Sequence, residues 1–167
     1  MGRWSHQSRL WHQYEVRCLP ISSSSEHHPL THIYLPRIGK GVYINFNCTF
    51  LDTCTITIGA RTLIGPNCSF FAASHPLDPF LRNGTRGPEL GAPITVGEDC
   101  WFGGNVTVLG GITIGRGVTI GAGSVVTKDV PDFVVVAGNP ARVLKKIEVK
   151  APDPRLADTK EAEAASS

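Results

Sequence analysis

Apolar residues recur at every sixth position along most of this chain. The recurrence begins at Ile38, ends at Pro131, and is interrupted twice, briefly after Phe50 and for longer after Phe70. A fixed period of six residues is typical of a parallel β-helix, because each unit can form one short strand and one corner. The residues that open the units are Ile38, Ile44, Phe50, Ile58, Ile64, Phe70, Val96, Phe102, Val108, Ile114, Ile120 and Val126.

The residue that follows each opening residue indicates how many units close one turn. Every third one is bulky, as at Leu51, Phe71 and Leu109, whereas the others are Gly or Asn. This super-period of three units predicts a triangular coil, and the twelve units predict about four coils. The fourth positions are mostly Gly, Asn or Asp, which tolerate the left-handed backbone conformation of a sharp corner. The spacing alone leaves the handedness of the coil open.

Strand alternation predicts which side chains face outward. If the opening residue points inward, its two neighbours in the sequence point outward. One side of the triangle then carries Leu51, Phe71 and Leu109, an exposed apolar column that is typical of a packing surface. The glycines of a second side form either the floor of a groove or only the close packing that a coil needs, and both interpretations stay open. That second side carries Asn45, Gly65, Gly103 and Gly121 beside Tyr43, Leu63 and Trp101.

The pattern divides the chain into three parts. Residues 1–36 match no regular element and predict a poorly ordered leader. Residues 37–148 predict the β-helix domain, with a long loop at residues 76–93 and a short C-terminal helix that caps the last coil at residues 140–148. Residues 149–167 are rich in Pro, Lys, Glu, Ala and Ser and predict a disordered tail.

Composition narrows the possible functions. The net charge is only +2, so neither the charge nor its distribution suggests a nucleic-acid partner. No apolar run is long enough to span a membrane and no signal peptide is recognisable, so we expect a soluble, cytoplasmic protein. The five cysteines are too evenly spread for a disulfide framework, and closely paired metal ligands are absent from the pattern. We therefore expect no metal, and cysteines that fill corners as small apolar residues.

His75 is the candidate catalytic residue. It is the only histidine of the repeat region, and it lies at the start of the long interruption, within His75-Pro76-Leu77-Asp78. An imidazole near neutral pH can accept the proton of an alcohol, which is otherwise a weak nucleophile. Its phase in the repeat places His75 next to an inward residue, so we expect it to face outward. The alternative is a histidine in the core or in solvent with no chemical role.

Several segments carry motifs beyond the spacing itself. They are Asn45-Phe46-Asn47-Cys48-Thr49, Leu51-Asp52, Ile64-Gly65-Pro66-Asn67, His75-Pro76-Leu77-Asp78, Trp101-Phe102-Gly103-Gly104, residues 120–129 and Gly138-Asn139-Pro140-Ala141-Arg142. Together they resemble the maltose/galactoside O-acetyltransferase family, over about residues 37–147. The resemblance implies an all-β fold, a single-stranded left-handed parallel β-helix. It also implies a homotrimer with sites between adjacent subunits, and transfer of acetyl from acetyl-CoA to a sugar hydroxyl.

The resemblance assigns roles to single residues. His75 is implied as the general base. Asn45, Asp52 and Trp101 are implied as contacts of the acceptor sugar. The residues implied as contacts of acetyl-CoA are Asn45, Gly104, Ala122, Thr127, Lys128, Arg142 and Lys145.

Two other functions stay open at this point. The family has a helical N-terminal segment that helps to form the acceptor pocket, and residues 1–36 do not resemble it. One alternative is therefore a trimeric hexapeptide-repeat protein that is non-catalytic or impaired in acceptor binding. The other is an acetyltransferase for another small acceptor, such as serine. A β-helix carbonic anhydrase is excluded, because it needs three metal-binding histidines and the coil contains one.

Overall fold

The computed structural model describes residues 16–18, 36–84 and 86–149. The expected disorder of the leader and of the tail falls mainly on residues outside these ranges. The described residues form short strands and one helix, α1, at Pro79–Arg82. The strands are β1 Val16–Cys18, β2 Arg37–Ile38, β3 Tyr43–Ile44, β4 Thr49–Leu51, β5 Ile56–Ile58, β6 Leu63–Ile64, β7 Ser69–Phe71, β8 Ala73–Ser74, β9 Glu89–Gly91, β10 Ile94–Val96, β11 Trp101–Phe102, β12 Thr107–Leu109, β13 Thr113–Ile114, β14 Thr119–Ile120, β15 Val125–Val126, β16 Val134–Ala137 and β17 Arg142–Lys146.

The repeat strands stack into three sheets, which we name side I, side II and side III. Side I has the order β13-β10-β5-β2, side II β17-β16-β14-β11-β6-β3, and side III β15-β12-β7-β4. In each coil the chain runs through side I, side II and side III in that order. Strands that are neighbours in a sheet therefore belong to consecutive coils. All these pairings are parallel except the pairing of β16 with β17. The prediction of an all-β parallel coil with three sides is confirmed.

The opening residues of the units form the core. From Ile58 to Val126 each of them is buried, because its side chain points into the coil between the coils above and below. Each buried side chain of this size contributes about 1.5–3 kcal/mol of hydrophobic stabilisation. Aromatic rings continue the same ladder: Phe50 and Phe70 stack with their ring centroids 4.9 Å apart. In the first coil Ile38 is 46% exposed, since it has a neighbouring strand on one side only.

The corners adopt the left-handed backbone conformation that the composition predicts. Nine of the predicted fourth positions have φ between 57° and 82°. Seven of the nine are Gly or Asn, which adopt this conformation at little cost. The nine residues are Gly41, Asn47, Arg61, Asn67, Asp99, Asn105, Gly111, Gly117 and Gly123.

The cysteines of the repeat do more than fill corners. Three thiols donate hydrogen bonds of 3.1–3.3 Å to a glycine carbonyl of the next coil. Burial raises the pKa of the Cys68 and Cys100 thiols, because the charged thiolate would lose its hydration. Cys54 is disulfide-bonded, which the spacing did not predict. The three hydrogen-bonded pairs are Cys48–Gly65, Cys68–Gly103 and Cys100–Gly115.

The C-terminal end of the coil differs from the prediction in two ways. The six-residue recurrence does not end at Pro131, because Val130 bridges to Ile114 and the buried Val136 pairs with Ile120. The predicted helix at residues 140–148 is also wrong. Residues 142–146 form β17, which pairs antiparallel with β16. The open edge of side II offers hydrogen-bonding partners, and these outweigh the local helix propensity of this segment.

The long interruption contains secondary structure of its own. β8 and β9 pair antiparallel, and β1 pairs with the other edge of β9. Between β8 and β9, Asp78 caps α1 by accepting a hydrogen bond of 2.8 Å from the N–H of Phe80. Arg82 donates to the carbonyl of Pro76 over 3.2 Å. This second bond joins α1 to the residue that follows His75.

No helix in the described part of the chain is long and apolar enough to cross a membrane.

Candidate active site

A continuous column of exposed side chains runs along side II. The strand registers place Leu63 opposite Tyr43 and Trp101, so these three side chains project from one face, as predicted. Each is about half exposed. Strands in a sheet are about 4.8 Å apart, so Tyr43 and Trp101 lie about 10 Å from each other along the column. The register continues through Thr119, Val135 and Lys145.

The glycines beside this column are required by the packing of the coils. A Cβ on Gly103 would lie 2.6 Å from the backbone nitrogen of Ala122, and one on Gly65 would lie 2.8 Å from that of Gly104. Such separations are far shorter than van der Waals contact, so a side chain at either position would push two coils apart. The packing of the coils therefore requires glycine at these positions, which supports the coil-packing interpretation and also leaves no side chain there beside Trp101.

At the corner between side II and side III, two backbone N–H groups have no hydrogen-bond acceptor among the described residues. In the first coil the side chain of Asn45 accepts the N–H of Phe46 over 2.8 Å, and in the second coil Pro66 has no N–H. In the third and fourth coils the equivalent residues are Gly104 and Ala122. No acceptor among the described residues bonds to their N–H groups, although the carbonyl of Gly104 accepts from Gly123 over 2.9 Å. This corner therefore offers two donors that lie one coil apart.

A second group of predicted residues lies at the far end of side III. Asp52 follows β4, and His75 follows β8, which continues the chain from β7. Thr127 and Lys128 follow β15 on the same edge, because the strands of side III are parallel. His75 is exposed, as its phase predicts. The edge thus presents a carboxylate, an imidazole and an ammonium group to solvent.

The two groups lie on different corners of the triangle. Asn45, Gly104 and Ala122 belong to the corner that begins side III, whereas His75 belongs to the corner that ends it. One side comprises six residues, which span about 20 Å at strand rise. Within a single chain, the structure therefore does not bring His75 together with the predicted donor-binding corner.

Basic residues gather at the C-terminal end of side II. Arg142 and Lys145 are both exposed on β17, the edge strand. Lys145 lines an open pocket of about 430 Å³ together with Thr119 and Lys146. Lys146 and Thr119 are not among the residues predicted from the sequence, because this end was interpreted as a helix. The registers of β14, β16 and β17 place Thr119 in line with Val135 and Lys145. In the described ranges no group of three His, Cys, Asp or Glu side chains could hold a metal ion.

The fold is a parallel β-helix of six-residue repeats, and its exposed polar side chains gather at two corners and at the C-terminal end of side II. A family model for the hexapeptide repeat of succinyl-transferase matches residues 93–128. A Dictyostelium discoideum protein named as a candidate acetyltransferase is 50% identical over 117 residues, which are 70% of this chain and 60% of that protein.

Solved structures agree with this relationship. The maltose O-acetyltransferase of Clostridium difficile is similar with a TM-score of 0.66 and 48% identity, covering 68% of this chain and 60% of the other. A galactoside acetyltransferase in complex with coenzyme A is similar with a TM-score of 0.65 and 44% identity, covering 68% and 56%. The predicted resemblance to the maltose/galactoside O-acetyltransferases is confirmed. The chain nevertheless spans only 60% of the length of the Dictyostelium relative.

Proposed function

We propose that this chain is an acetyl-CoA-dependent O-acetyltransferase that acts on a hydroxyl of a sugar such as maltose, glucose or a galactoside. In this proposal it works as a homotrimer of left-handed β-helices with about four coils each, and His75 is the general base. The support comes from the site geometry and from the activities that the similar proteins carry in their names.

The observation that carries the proposal is the separation of the two corners. In one chain, His75 and Lys128 lie at the corner that ends side III, whereas Gly104 and Ala122 lie at the corner that begins it, and the six residues of a side span about 20 Å when extended. A second copy placed against side III would bring its donor-binding corner next to His75. The exposed column of Leu51, Phe71 and Leu109 on side III supplies the apolar surface for such a contact, since the registers align these three side chains. The complete site then lies between adjacent subunits.

The chemistry follows from the groups at these corners. Imidazole of His75 takes the proton of the acceptor hydroxyl as its oxygen forms a bond to the thioester carbonyl carbon. The negative charge that develops on the carbonyl oxygen is stabilised by a backbone N–H, for which that of Gly104 is available. When the intermediate collapses, the carbon–sulfur bond breaks and the imidazolium returns the proton to the leaving thiolate. The products are the acetyl ester and free coenzyme A.

Donor and acceptor would be held by different residues. The N–H of Ala122, which has no acceptor among the described residues, suits an amide carbonyl of the pantetheine arm, which then runs past Thr127 and Lys128. Arg142 and Lys145 suit the phosphates of coenzyme A, since charge-assisted hydrogen bonds are stronger than those between neutral groups. On the acceptor side, the free amide of Asn45 and the carboxylate of Asp52 can bond sugar hydroxyls. The exposed ring of Trp101 can lie against a sugar ring.

The experiment is a thiol-release assay with acetyl-CoA and a panel of maltose, glucose, galactosides and serine. We expect release with at least one sugar, and loss of it in His75→Ala. The matched control is Thr95→Ala, an exposed residue on side I away from both corners. No release by the parent protein with any acceptor, or equal release by His75→Ala, would overturn the proposal.

A native mass measurement separates the remaining outcomes. A trimer that binds coenzyme A without turnover would indicate the non-catalytic hexapeptide-repeat protein, and release with serine alone would indicate a different acceptor class. A monomer that turns over sugar would contradict the placement of the site between subunits.

A further inference from the structure

The loop that follows His75 contains an Asn-Gly pair, Asn83-Gly84, at the end of α1. Asn83 is the C-cap of α1, with φ 43°, and its side chain is exposed. Gly84 has φ +59°, and no heavy atom beyond its two neighbours in the chain lies within 4 Å of where its Cβ would be. No acceptor among the described residues bonds to the N–H of Gly84. The backbone nitrogen of Gly84 is thus unhindered beside the side-chain amide of Asn83.

We infer that Asn83 is a site of spontaneous deamidation that modifies the loop next to His75. The Gly84 nitrogen attacks the side-chain carbonyl carbon of Asn83, forming a C–N bond and closing a five-membered imide. The side-chain amide nitrogen leaves as ammonia. Water then opens the ring at either carbonyl and leaves an aspartate or an isoaspartate at position 83. Only water is consumed, and no oxidant or reductant takes part.

The other five asparagines are protected by their neighbours and by the coil. Asn139 precedes a proline, whose nitrogen carries no hydrogen and cannot form the imide by this route. The backbone of Asn67 bonds to Phe46 over 3.1 Å, and the equivalent bond of Asn105 measures 2.9 Å. These two bonds join neighbouring coils and hold the corners against the rotation that ring closure requires, whereas the backbone bonds of Asn83, to Pro79 and from Arg86, stay within its own loop. The residues that follow the four corner asparagines are Phe46, Cys48, Cys68 and Val106, all bulkier than glycine.

The modification would change how the loop is held. The N–H of Asn83 donates to the carbonyl of Pro79 over 3.0 Å, the N–H of Arg86 donates to the carbonyl of Asn83 over 3.1 Å, and that of Gly87 donates to the carbonyl of Arg82 over 3.2 Å, so three backbone bonds close the turn. An isoaspartate lengthens the backbone there by one methylene and adds a carboxylate beside Arg82. Arg82 in turn bonds the carbonyl of Pro76, next to His75. The effect on turnover rests on the proposed function, whereas the deamidation itself does not.

The test is to age the full chain in mildly alkaline buffer and follow each asparagine by peptide mapping and mass spectrometry. We expect the peptide with Asn83 to gain the mass of an amide-to-acid conversion first, and to become a substrate for protein isoaspartyl methyltransferase. Asn83→Gln should abolish the early mass gain. Gly84→Ala, which keeps the asparagine, should slow it. The same ageing in urea should accelerate conversion at Asn67 and Asn105, because their protection comes from the fold.

Conversion of Asn83 no faster than that of Asn67 or Asn105 in the folded protein would overturn the inference, whatever the protein's activity. An early mass gain that persists in Asn83→Gln would do the same, since it would place the reactive amide elsewhere. Thiol release measured on the aged sample is a separate readout. It reports only the effect on the proposed function, so the two proposals fail independently.

Discussion

The thiol of Cys100 donates a hydrogen bond of 3.1 Å to the carbonyl oxygen of Gly115, one strand further along the stack. Cys48 and Cys68 repeat this geometry at other corners, and the hydroxyl of Thr62 donates to the carbonyl of Gly97 over 3.1 Å. The residue at the fifth position of a unit therefore has a structural role. Its thiol or hydroxyl group donates a hydrogen bond to a glycine carbonyl oxygen, which the corner turns away from the hydrogen bonds between the strands.

Loss of this donor should weaken the coil. In Cys100→Ala the Gly115 carbonyl loses its thiol partner, and a buried polar group without a partner costs about 1–3 kcal/mol. Cys100→Ser keeps a donor at the same place and should cost less. Urea unfolding of the two variants measures the difference. Equal losses would mean that packing of the sulfur, and not the hydrogen bond, is what matters.

Stability should fall in alkaline solution because of the buried thiols. Burial raises the pKa of Cys68 and Cys100 in the folded state, whereas thiols of the unfolded chain ionise near about 8.5. Above that pH the unfolded chain releases protons that the folded chain retains, so the free energy of unfolding decreases as pH rises. Below that pH the contribution of these thiols is constant. Urea midpoints across this range should show the decrease, and the double variant Cys68→Ser/Cys100→Ser should show a smaller one. An identical pH dependence in both proteins would refute the assignment.

Two adjacent glycines should differ sharply in their tolerance of a methyl group. A Cβ on Gly103 would lie 2.6 Å from the Ala122 nitrogen, whereas one on Gly104 would lie 3.3 Å from its nearest neighbour, the carbonyl oxygen of Pro66. We expect Gly103→Ala to destabilise the protein by about 1–3 kcal/mol or more, as overpacking does. Gly104→Ala should cost clearly less, and thermal unfolding of the matched pair measures the contrast. Similar losses would mean that the coils can separate freely at this corner.

The basic residues of β17 should act through the phosphates of the donor. Removal of one charge-assisted hydrogen bond costs about 1.5–3 kcal/mol, so Arg142→Ala or Lys145→Ala should raise the KM for acetyl-CoA by roughly tenfold or more. Lys40→Ala is the control, since Lys40 is exposed in the first coil at the other end of the stack. Steady-state kinetics with acetyl-CoA, and with a donor that lacks the 3′-phosphate, would reveal which phosphate each residue contacts. An unchanged KM for both donors would remove these two residues from the donor site.

The repeat could be predicted from the sequence because one physical rule governs it. An apolar residue at each unit opening must point inward, and this rule alone places Leu63 and Trp101 on one face and Leu51 and Phe71 on another. Positive φ at Asn67 and similar corners follows from composition in the same way. His75 stood out for a different reason, because it is the only histidine of the repeat region.

The departures occur where pairing depends on a distant strand. Residues 142–146 are of types that commonly occur in helices. They form a strand because they pair with the open edge of β16. The unit that opens at Val136 was missed because Val130 follows Val126 by only four residues, which shifts the phase of the recurrence. The pairing of β1 with β9 had no local signal either, since three residues carry no periodicity. The strand at residues 142–146 and its pairing with β16 therefore required the structure.

The strand registers also determine how this chain can fold. Val96 pairs with Ile114, 18 residues further on, whereas Ile58 pairs with Val96 across 38 residues because the loop intervenes. Closing a loop of twice the length costs only about 0.6 kcal/mol more in free energy. The insertion therefore hardly slows the step that joins the second coil to the third, in which three strand pairings span it. Nearly every other pairing is local, one coil at a time. Folding can therefore begin in the coils that follow the loop and propagate from neighbour to neighbour, as in other solenoids.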